Sequence, residues 1–215
     1  MFQEFKELFS TLMNSQEIIR NGGLILLVLI VYAENGIIFG FFLPGDYLLF
    51  SAGLLCGTGD FPVHPLLLLF GVWVAAVGGS FTGFFFGKYV GKAFYSKSDT
   101  WYFKREYIVR TRAVFIKFGG RTLILGRFLP IVRTFSPILA GVVEMDLKKF
   151  TYFNVIGGTI WVFGLNLTGY FLGQRFPGLL NYLEYIIIAF FVLTGFVVVR
   201  QLFQGKKKEI RVQKA

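Results

Sequence analysis

The sequence predicts an all-α integral membrane protein in which a re-entrant hairpin and a transmembrane helix occur twice, as an inverted repeat. An N-terminal amphipathic helix and an additional C-terminal transmembrane helix complete the predicted fold. Two uncharged runs, 61–87 and 150–174, are each longer than the about 20 apolar residues that cross a bilayer as a helix. Two similar proline-containing segments, 40–44 and 126–130, interrupt apolar sequence 86 residues apart.

The N-terminal segment contains acidic as well as basic residues and has no basic stretch leading into an apolar run, so we expect no cleavable signal. Its apolar residues, such as Phe5, Leu8, Phe9 and Leu12, recur at helical spacing. The spacing predicts an amphipathic helix on the membrane surface, with a helix packed against protein as the alternative. The chain is then a single membrane domain of six segments: an amphipathic helix 1–21, repeat one 22–87, a basic cytoplasmic segment 88–112, repeat two 113–175, a last transmembrane helix 179–203 and a basic tail 204–215.

The two halves of the chain match each other at an offset of 86 residues. Across residues 40–87, 11 of 48 positions are identical to those 86 residues further on, where composition alone would produce roughly four. The matches include the Phe-Leu-Pro segments and a second motif, in which 82–87 aligns with 168–173. Because two separate motifs share one offset, we interpret the halves as a structural repeat.

Each Phe-Leu-Pro segment is predicted to be the turn of a re-entrant hairpin. Proline breaks a helix, and irregular backbone at membrane depth is tolerated only inside protein or beside a water-filled cavity. We therefore assign Pro44, Gly45 and Pro130 to the turns. The apolar arms are 24–42 and 47–55 in the first half, and 114–128 and 134–143 in the second.

The basic residues predict the orientation. Nine bases against two acids occur between 88 and 121, and six against one between 200 and 214, as is typical of cytoplasmic loops. With one full span per repeat, the repeats must face opposite ways, which is the plan of secondary transporters with hairpin tips near the midplane. The side of the N-terminus stays open. The net charge of +10 lies in loops without a nucleic-acid motif, so we expect no nucleic-acid partner.

Four ionisable residues, Glu34, Asp46, Arg127 and Arg133, lie beside the two hairpin turns. An ionisable group within a membrane is a functional hypothesis by default. The arginine fork suits phosphate oxygens, and carboxylates in a low-dielectric site can exchange protons, so we expect headgroup binding by the arginines and proton coupling by the acids. Structural salt bridges between the hairpins are the alternative.

Three further polar residues, Asn35, Ser51 and Ser136, are candidates for the polar lining of this site, with capping or packing as the alternative role. No metal site or cofactor is expected, because the chain has one cysteine, Cys56, and one histidine, His64, in a loop. An enzyme such as a lipid phosphatase is not expected either, since it would need a nucleophile close to the arginines.

These motifs resemble those of the DedA family, whose shared segment is also called the SNARE-associated or VTT domain. The resemblance rests on Glu34, on Phe-Phe-Leu-Pro-Gly-Asp at 41–46 with Leu-Leu-Phe-Ser-Ala-Gly at 48–53, and on Gly-Arg-Phe-Leu-Pro-Ile-Val-Arg at 126–133 followed by Pro137. It covers about residues 24–175. The resemblance implies an inner-membrane transporter with two facing re-entrant hairpins, and the family's essential acids and arginines fall on the four charged residues above.

The resemblance also implies a function. Family members look like proton-motive-force-dependent flippases for polyprenyl phosphate or phospholipids, and eukaryotic relatives resemble lipid scramblases. We therefore expect a multi-pass protein of the bacterial cytoplasmic membrane that moves an anionic lipid such as undecaprenyl phosphate, with membrane lipids and protons as partners and with an oligomer left open. A phospholipid scramblase or flippase, a proton-coupled transporter of small cations or drugs, and a non-transporting scaffold are the alternatives.

Overall fold

The fold is helical throughout the part of the chain that the computed structural model describes, which is residues 15–37, 40, 45–95 and 119–182. No strand occurs in those residues, so the all-α class is confirmed there. Residues 96–118, which include most of the predicted basic segment 88–112, lie outside the described residues. So do Pro44, the tail, and most of the predicted amphipathic and last transmembrane helices. The α-helices are, in order, α1 (Ser15–Gly36), α2 (Gly45–Thr58), α3 (Pro65–Tyr95), α4 (Arg121–Gly126), α5 (Pro130–Val142) and α6 (Leu147–Arg175).

The two long helices, α3 and α6, correspond to the two uncharged runs of the sequence. They have 31 and 29 residues, which is a length of about 45 Å at 1.5 Å per residue. Their apolar stretches, Pro65–Val90 and Leu147–Arg175, are long enough to cross a bilayer. Large apolar side chains on α3, such as Leu67 and Phe70, are more than half exposed. Such a surface suits contact with lipid.

The helices that follow the two breaks, α2 and α5, are too short to cross a bilayer. They have 14 and 13 residues, about 20 Å, against a hydrocarbon core of about 30 Å. The second break lies at the predicted proline, since Pro130 begins α5 and the preceding Leu129 is extended at φ −120° and ψ 111°. A residue before proline is restricted to this conformation.

The straight helix before each break is shorter than the arm predicted from the sequence, and in the first half it ends at Gly36 instead of near 42. Helix α1 changes direction at Gly23, whose φ of 57° is left-handed, so its straight part begins near the predicted start of the arm. The arm predicted for 114–128 is shorter than expected within the described residues, because α4 has only six residues. Gly119, at φ 59°, makes a turn immediately before α4, and this turn ends any continuous helix there.

Each short helix packs against the long helix of the other half: α2 lies on α6, and α5 lies on α3. The contacts are close backbone contacts made at glycines, as in small-residue interfaces of membrane helices. A Cβ at Gly173 would overlap the backbone of Leu54, and one at Gly87 would overlap the backbone of Ile138. Gly87 and Gly173 are themselves a pair at the 86-residue offset, so the two halves use equivalent glycines for equivalent contacts.

The long helices also contact each other at equivalent positions. The indole Nε1 of Trp73 on α3 donates a hydrogen bond of 3.0 Å to Thr159 Oγ1 on α6, 86 residues further along the chain. Nearer the end of α3, the rings of Phe84 and Phe150 stack with centroids 4.2 Å apart. The polar residues described below therefore lie between helices drawn from both halves.

Candidate functional site

A buried ion-pair cluster joins the two halves of the chain. Glu34 lies in the last turn of α1, Asp46 in the first turn of α2 and Arg133 in the first turns of α5. Arg133 donates through Nη2 to Glu34 Oε1 and through Nη1 to Asp46 Oδ1. The side chains of Arg133 and Glu34 are 1% and 2% exposed, and that of Asp46 is 16% exposed. One guanidinium from the second half is thus shared by both predicted acids of the first.

Trp161 completes this cluster from α6. Its Nε1 donates a hydrogen bond of 2.9 Å to Asp46 Oδ1, and its ring lies 4.5 Å from the guanidinium carbon of Arg133. A guanidinium over an indole face is an attractive cation–π arrangement. Trp161 is only 3% exposed, so its ring belongs to this buried cluster and not to a lipid-facing surface.

Glycines bring the backbone against Glu34. A Cβ at Gly45 would overlap Glu34 Oε2, and one at Gly40 would overlap the backbone of Ala33 and Glu34. Thr134 on α5 donates from Oγ1 to the Glu34 carbonyl oxygen over 3.1 Å. The predicted turn residue Gly45 is therefore required for space beside the carboxylate, and the same cluster ties α1, α2 and α5 together.

Arg127 lies in a different environment. It follows α4 at the break, is 4% exposed, and donates through Nη2 to Ser80 Oγ at 3.0 Å and to Asn154 Oδ1 at 2.5 Å. The aliphatic part of its side chain rests on Gly157 of α6. Nη1 has no hydrogen-bond partner, and no carboxylate pairs with Arg127, among residues 15–37, 40, 45–95 and 119–182. The alternative of salt bridges at both arginines therefore holds for Arg133 and not for Arg127 within these residues.

The three candidate lining residues are buried but do not hydrogen-bond to the four charged groups in the described contacts. Asn35 Nδ2 donates to Val31 O within its own helix, Ser51 Oγ has no described partner, and Ser136 lies against Gly126. The neutral polar partners of Arg127 are instead Ser80 and Asn154. Their hydrogen bonds to Arg127 join separate helices, so the spacing of residues along the chain does not indicate these bonds.

The formal charges of the site sum to zero but are unevenly placed. Glu34 and Asp46 share Arg133, which leaves that cluster with one excess negative charge when both acids are ionised. Arg127, held by neutral oxygens, has the matching positive charge. Burying such separated charges costs desolvation free energy unless an opposite charge lies close to each of them. The arrangement can therefore accept an anion at Arg127 and a proton at the acids without acquiring a net charge.

The fold and this site define a helical membrane protein with a buried cluster of acids and arginines shared between two halves. Comparison with known families agrees, because the VTT domain matches residues 43–171. The chain therefore belongs to the DedA family of VTT-domain membrane proteins. No solved structure matches it.

Several relatives are similar over much of their length. The chain is 36% identical to Protein DedA of Escherichia coli (strain K12) over 191 residues, which is 88% of this chain and 86% of that protein. It is 32% identical to Inner membrane protein YqjA of the same strain over 187 residues, 86% and 82% of the two chains. An uncharacterized membrane protein of Mycobacterium tuberculosis is 42% identical over 69% of this chain and 65% of its own. The membrane location expected from the sequence is thus supported by these names.

Proposed function

We propose that this protein is a proton-coupled lipid transporter of the bacterial cytoplasmic membrane, a flippase that moves an anionic lipid headgroup from the outer to the inner leaflet. Undecaprenyl phosphate is the substrate that we favour. Arg127 and Arg133 bind the phosphate, and Glu34 and Asp46 exchange protons. The proposal treats all four residues as one site.

The observation that supports this proposal is the contrast between the two arginines. Glu34 and Asp46 share Arg133, whereas Arg127 has no described carboxylate partner. In this arrangement the two carboxylates occupy the donors of the Arg133 guanidinium, to which a phosphate would also bind. Protonation of Glu34 or Asp46 weakens that hold, because a neutral carboxyl attracts a guanidinium far less than a carboxylate does. A phosphate can then replace the carboxylates at Arg133, so that anion binding and proton uptake occur together.

The same proposal includes the transport motion. We propose that the two breaks are re-entrant hairpin tips, that the halves form an inverted repeat, and that the hairpins rock against the long helices to open the site to each leaflet in turn. The short α2 and α5, and their equivalent glycine contacts with the long helix of the other half, support this architecture. Small residues at those contacts suit sliding of one helix past another because no side chains interlock.

The test is reconstitution of the full chain in liposomes with a leaflet-resolved assay of a polyprenyl phosphate and, separately, of a phospholipid. Each lipid is followed with and without a pH gradient across the membrane. We expect movement of the polyprenyl phosphate that is faster with the gradient. Failure of both lipids to move would exclude a flippase. Movement at the same rate with and without the pH gradient would exclude proton coupling but not lipid transport. Phospholipid movement alone would favour a scramblase.

A transporter of small cations or drugs would use Glu34 and Asp46 as its binding site and would need the arginines only for charge balance. It predicts that Arg127→Lys is mild, since lysine keeps the charge. Phosphate binding predicts a severe loss, because lysine lacks the planar fork with two parallel donors. In a non-transporting scaffold, neutralising any of these charges should act only through folding.

A further inference from the structure

Asn154 and Ser80 supply the side-chain oxygens that accept hydrogen bonds from Arg127. Both are buried, at 2% and 1% exposure. Asn154 Nδ2 donates to Val77 O over 3.2 Å, which directs Oδ1 at the guanidinium. Ser80 Oγ donates to Ala76 O over 2.9 Å, so its lone pairs face Arg127. Each side chain is therefore oriented by the backbone of α3 to accept from Arg127 Nη2.

We infer that Asn154 and Ser80 form a neutral cradle that presents Arg127 Nη1 as the binding group for a phosphate, and that the cradle must be uncharged to do so. This inference rests on the proposed function and assigns two positioning residues to it. A buried arginine is ordinarily paired with a carboxylate, because an uncompensated charge in protein is costly. Here the side-chain acceptors are neutral, and the other terminal nitrogen, Nη1, is buried without a described partner.

The contrast with Arg133 explains why neutrality matters. Arg133 donates to carboxylates through both of its terminal nitrogens, so an anion must displace an internal partner to reach it. Arg127 uses Nη2 for neutral oxygens of Ser80 and Asn154, and its Nη1 remains for a ligand. An anion at Arg127 gains a charge-assisted hydrogen bond without breaking an existing ion pair. The first contact of a phosphate with the site is therefore at Arg127.

The test is to place a carboxylate in the cradle with Asn154→Asp, which replaces the amide nitrogen of the side chain by an oxygen. The full chain is purified in phosphatidylcholine nanodiscs, and calorimetry measures its affinity for two probes, inorganic phosphate and a short-chain polyprenyl phosphate. We expect Asn154→Asp to weaken binding at least tenfold, because its carboxylate occupies the guanidinium as an internal anion. Binding of the polyprenyl probe alone identifies a lipid phosphate, and equal binding of both probes identifies the phosphate group itself as sufficient.

Asn166→Asp is the matched control. Asn166 is on the same helix, is also buried at 3% exposure, and also donates to a backbone carbonyl, that of Leu49. Its substitution creates a buried carboxylate without a neighbouring guanidinium among the described residues. We expect the affinity of this variant to stay within twofold of wild type and its melting temperature to fall below that of Asn154→Asp, whose carboxylate gains an arginine partner.

Ser80→Asp provides a second route to the same test if Asn154→Asp does not fold, because it brings a carboxylate to Arg127 from α3. Wild-type affinity in both cradle variants would overturn the inference, as would equal weakening in Asn154→Asp and Asn166→Asp. Absence of phosphate binding by the wild-type protein would overturn it as well. Lipid movement is measured separately, so a protein that transports normally with a carboxylate in the cradle would contradict the cradle and leave the proposed function intact.

Discussion

Arg127 and Arg133 are six residues apart, and both are buried, but they have opposite surroundings. Arg133 donates to two carboxylates and lies over an indole ring. Arg127 donates to a serine and an asparagine and keeps one terminal nitrogen without a described partner. The same residue type on either side of one proline therefore has an internal counter-ion in one place and, among the described residues, none in the other.

Under the proposed function, this difference separates a mainly structural arginine, Arg133, from the arginine that first binds the phosphate, Arg127. Arg133 holds Glu34 of α1 and Asp46 of α2 against α5, so it links the helices on either side of the first break to the helix after the second. Arg127 makes no such ion pair in the described contacts, and its hydrogen bonds join the second break to α3 and α6. We expect stability to depend mainly on Arg133 and anion recognition mainly on Arg127.

The largest predicted effect on stability is that of Arg133→Met compared with Arg127→Met. Removing Arg133 leaves two buried carboxylates without their partner, and breaking a buried pair from one side costs about 3–5 kcal/mol. Removing Arg127 also removes an uncompensated charge, which offsets the loss of its hydrogen bonds, so we expect a change near zero. Thermal melting of both variants in the same detergent measures the difference. Equal destabilisation would show that the two arginines have the same structural role.

A smaller loss is expected for Gly45→Ala. The new methyl group would occupy the position of Glu34 Oε2 and would push the carboxylate away from Arg133, which corresponds to overpacking of about 1–3 kcal/mol. Gly164→Ala is the control, because no atom lies within 4 Å of a Cβ there, and alanine in an exposed helix is favoured over glycine by about 1 kcal/mol. A melting temperature for Gly45→Ala at or above that of the control would contradict the close contact with Glu34.

The smallest effect on stability is expected for Trp161→Phe. Phenylalanine keeps an aromatic ring beneath Arg133 but cannot donate to Asp46, whose carboxylate still has its ion pair, so we expect a loss of about 1 kcal/mol. Trp73→Phe removes an equivalent donor from a neutral acceptor, Thr159. In the liposome assay we expect slower, gradient-dependent movement of the polyprenyl phosphate for Trp161→Phe and wild-type rates for Trp73→Phe. Indistinguishable rates would remove Trp161 from the site.

Much of the fold was predictable because membrane burial leaves a strong signal in the sequence. The uncharged runs predicted α3 and α6, and proline predicted the second break at Pro130. The short α4 was not predicted, because its limit is set by the left-handed conformation of Gly119, whereas the sequence prediction treats 114–128 as one continuous apolar arm. The glycine contacts between halves were likewise hidden, because they depend on which helices pack together.

The charged members of the site were predictable and their pairing was not. Glu34, Asp46, Arg127 and Arg133 stand out as ions in apolar sequence. Which arginine meets the acids depends on three-dimensional contacts between residues 87 and 99 positions apart. Asn154 and Trp161 are ordinary members of a membrane helix by composition, and only their contacts with the arginines distinguish them from packing residues.

The most direct test of this account is the rate at which Arg127→Lys moves a polyprenyl phosphate between leaflets, measured beside wild type in the same liposomes. Lysine keeps the positive charge in the neutral cradle but lacks the second terminal nitrogen that a phosphate would bind. We predict at least a tenfold lower rate with a melting temperature close to wild type. A rate close to wild type would contradict the proposal that Arg127 recognises a phosphate through Nη1, which has no partner among the described residues.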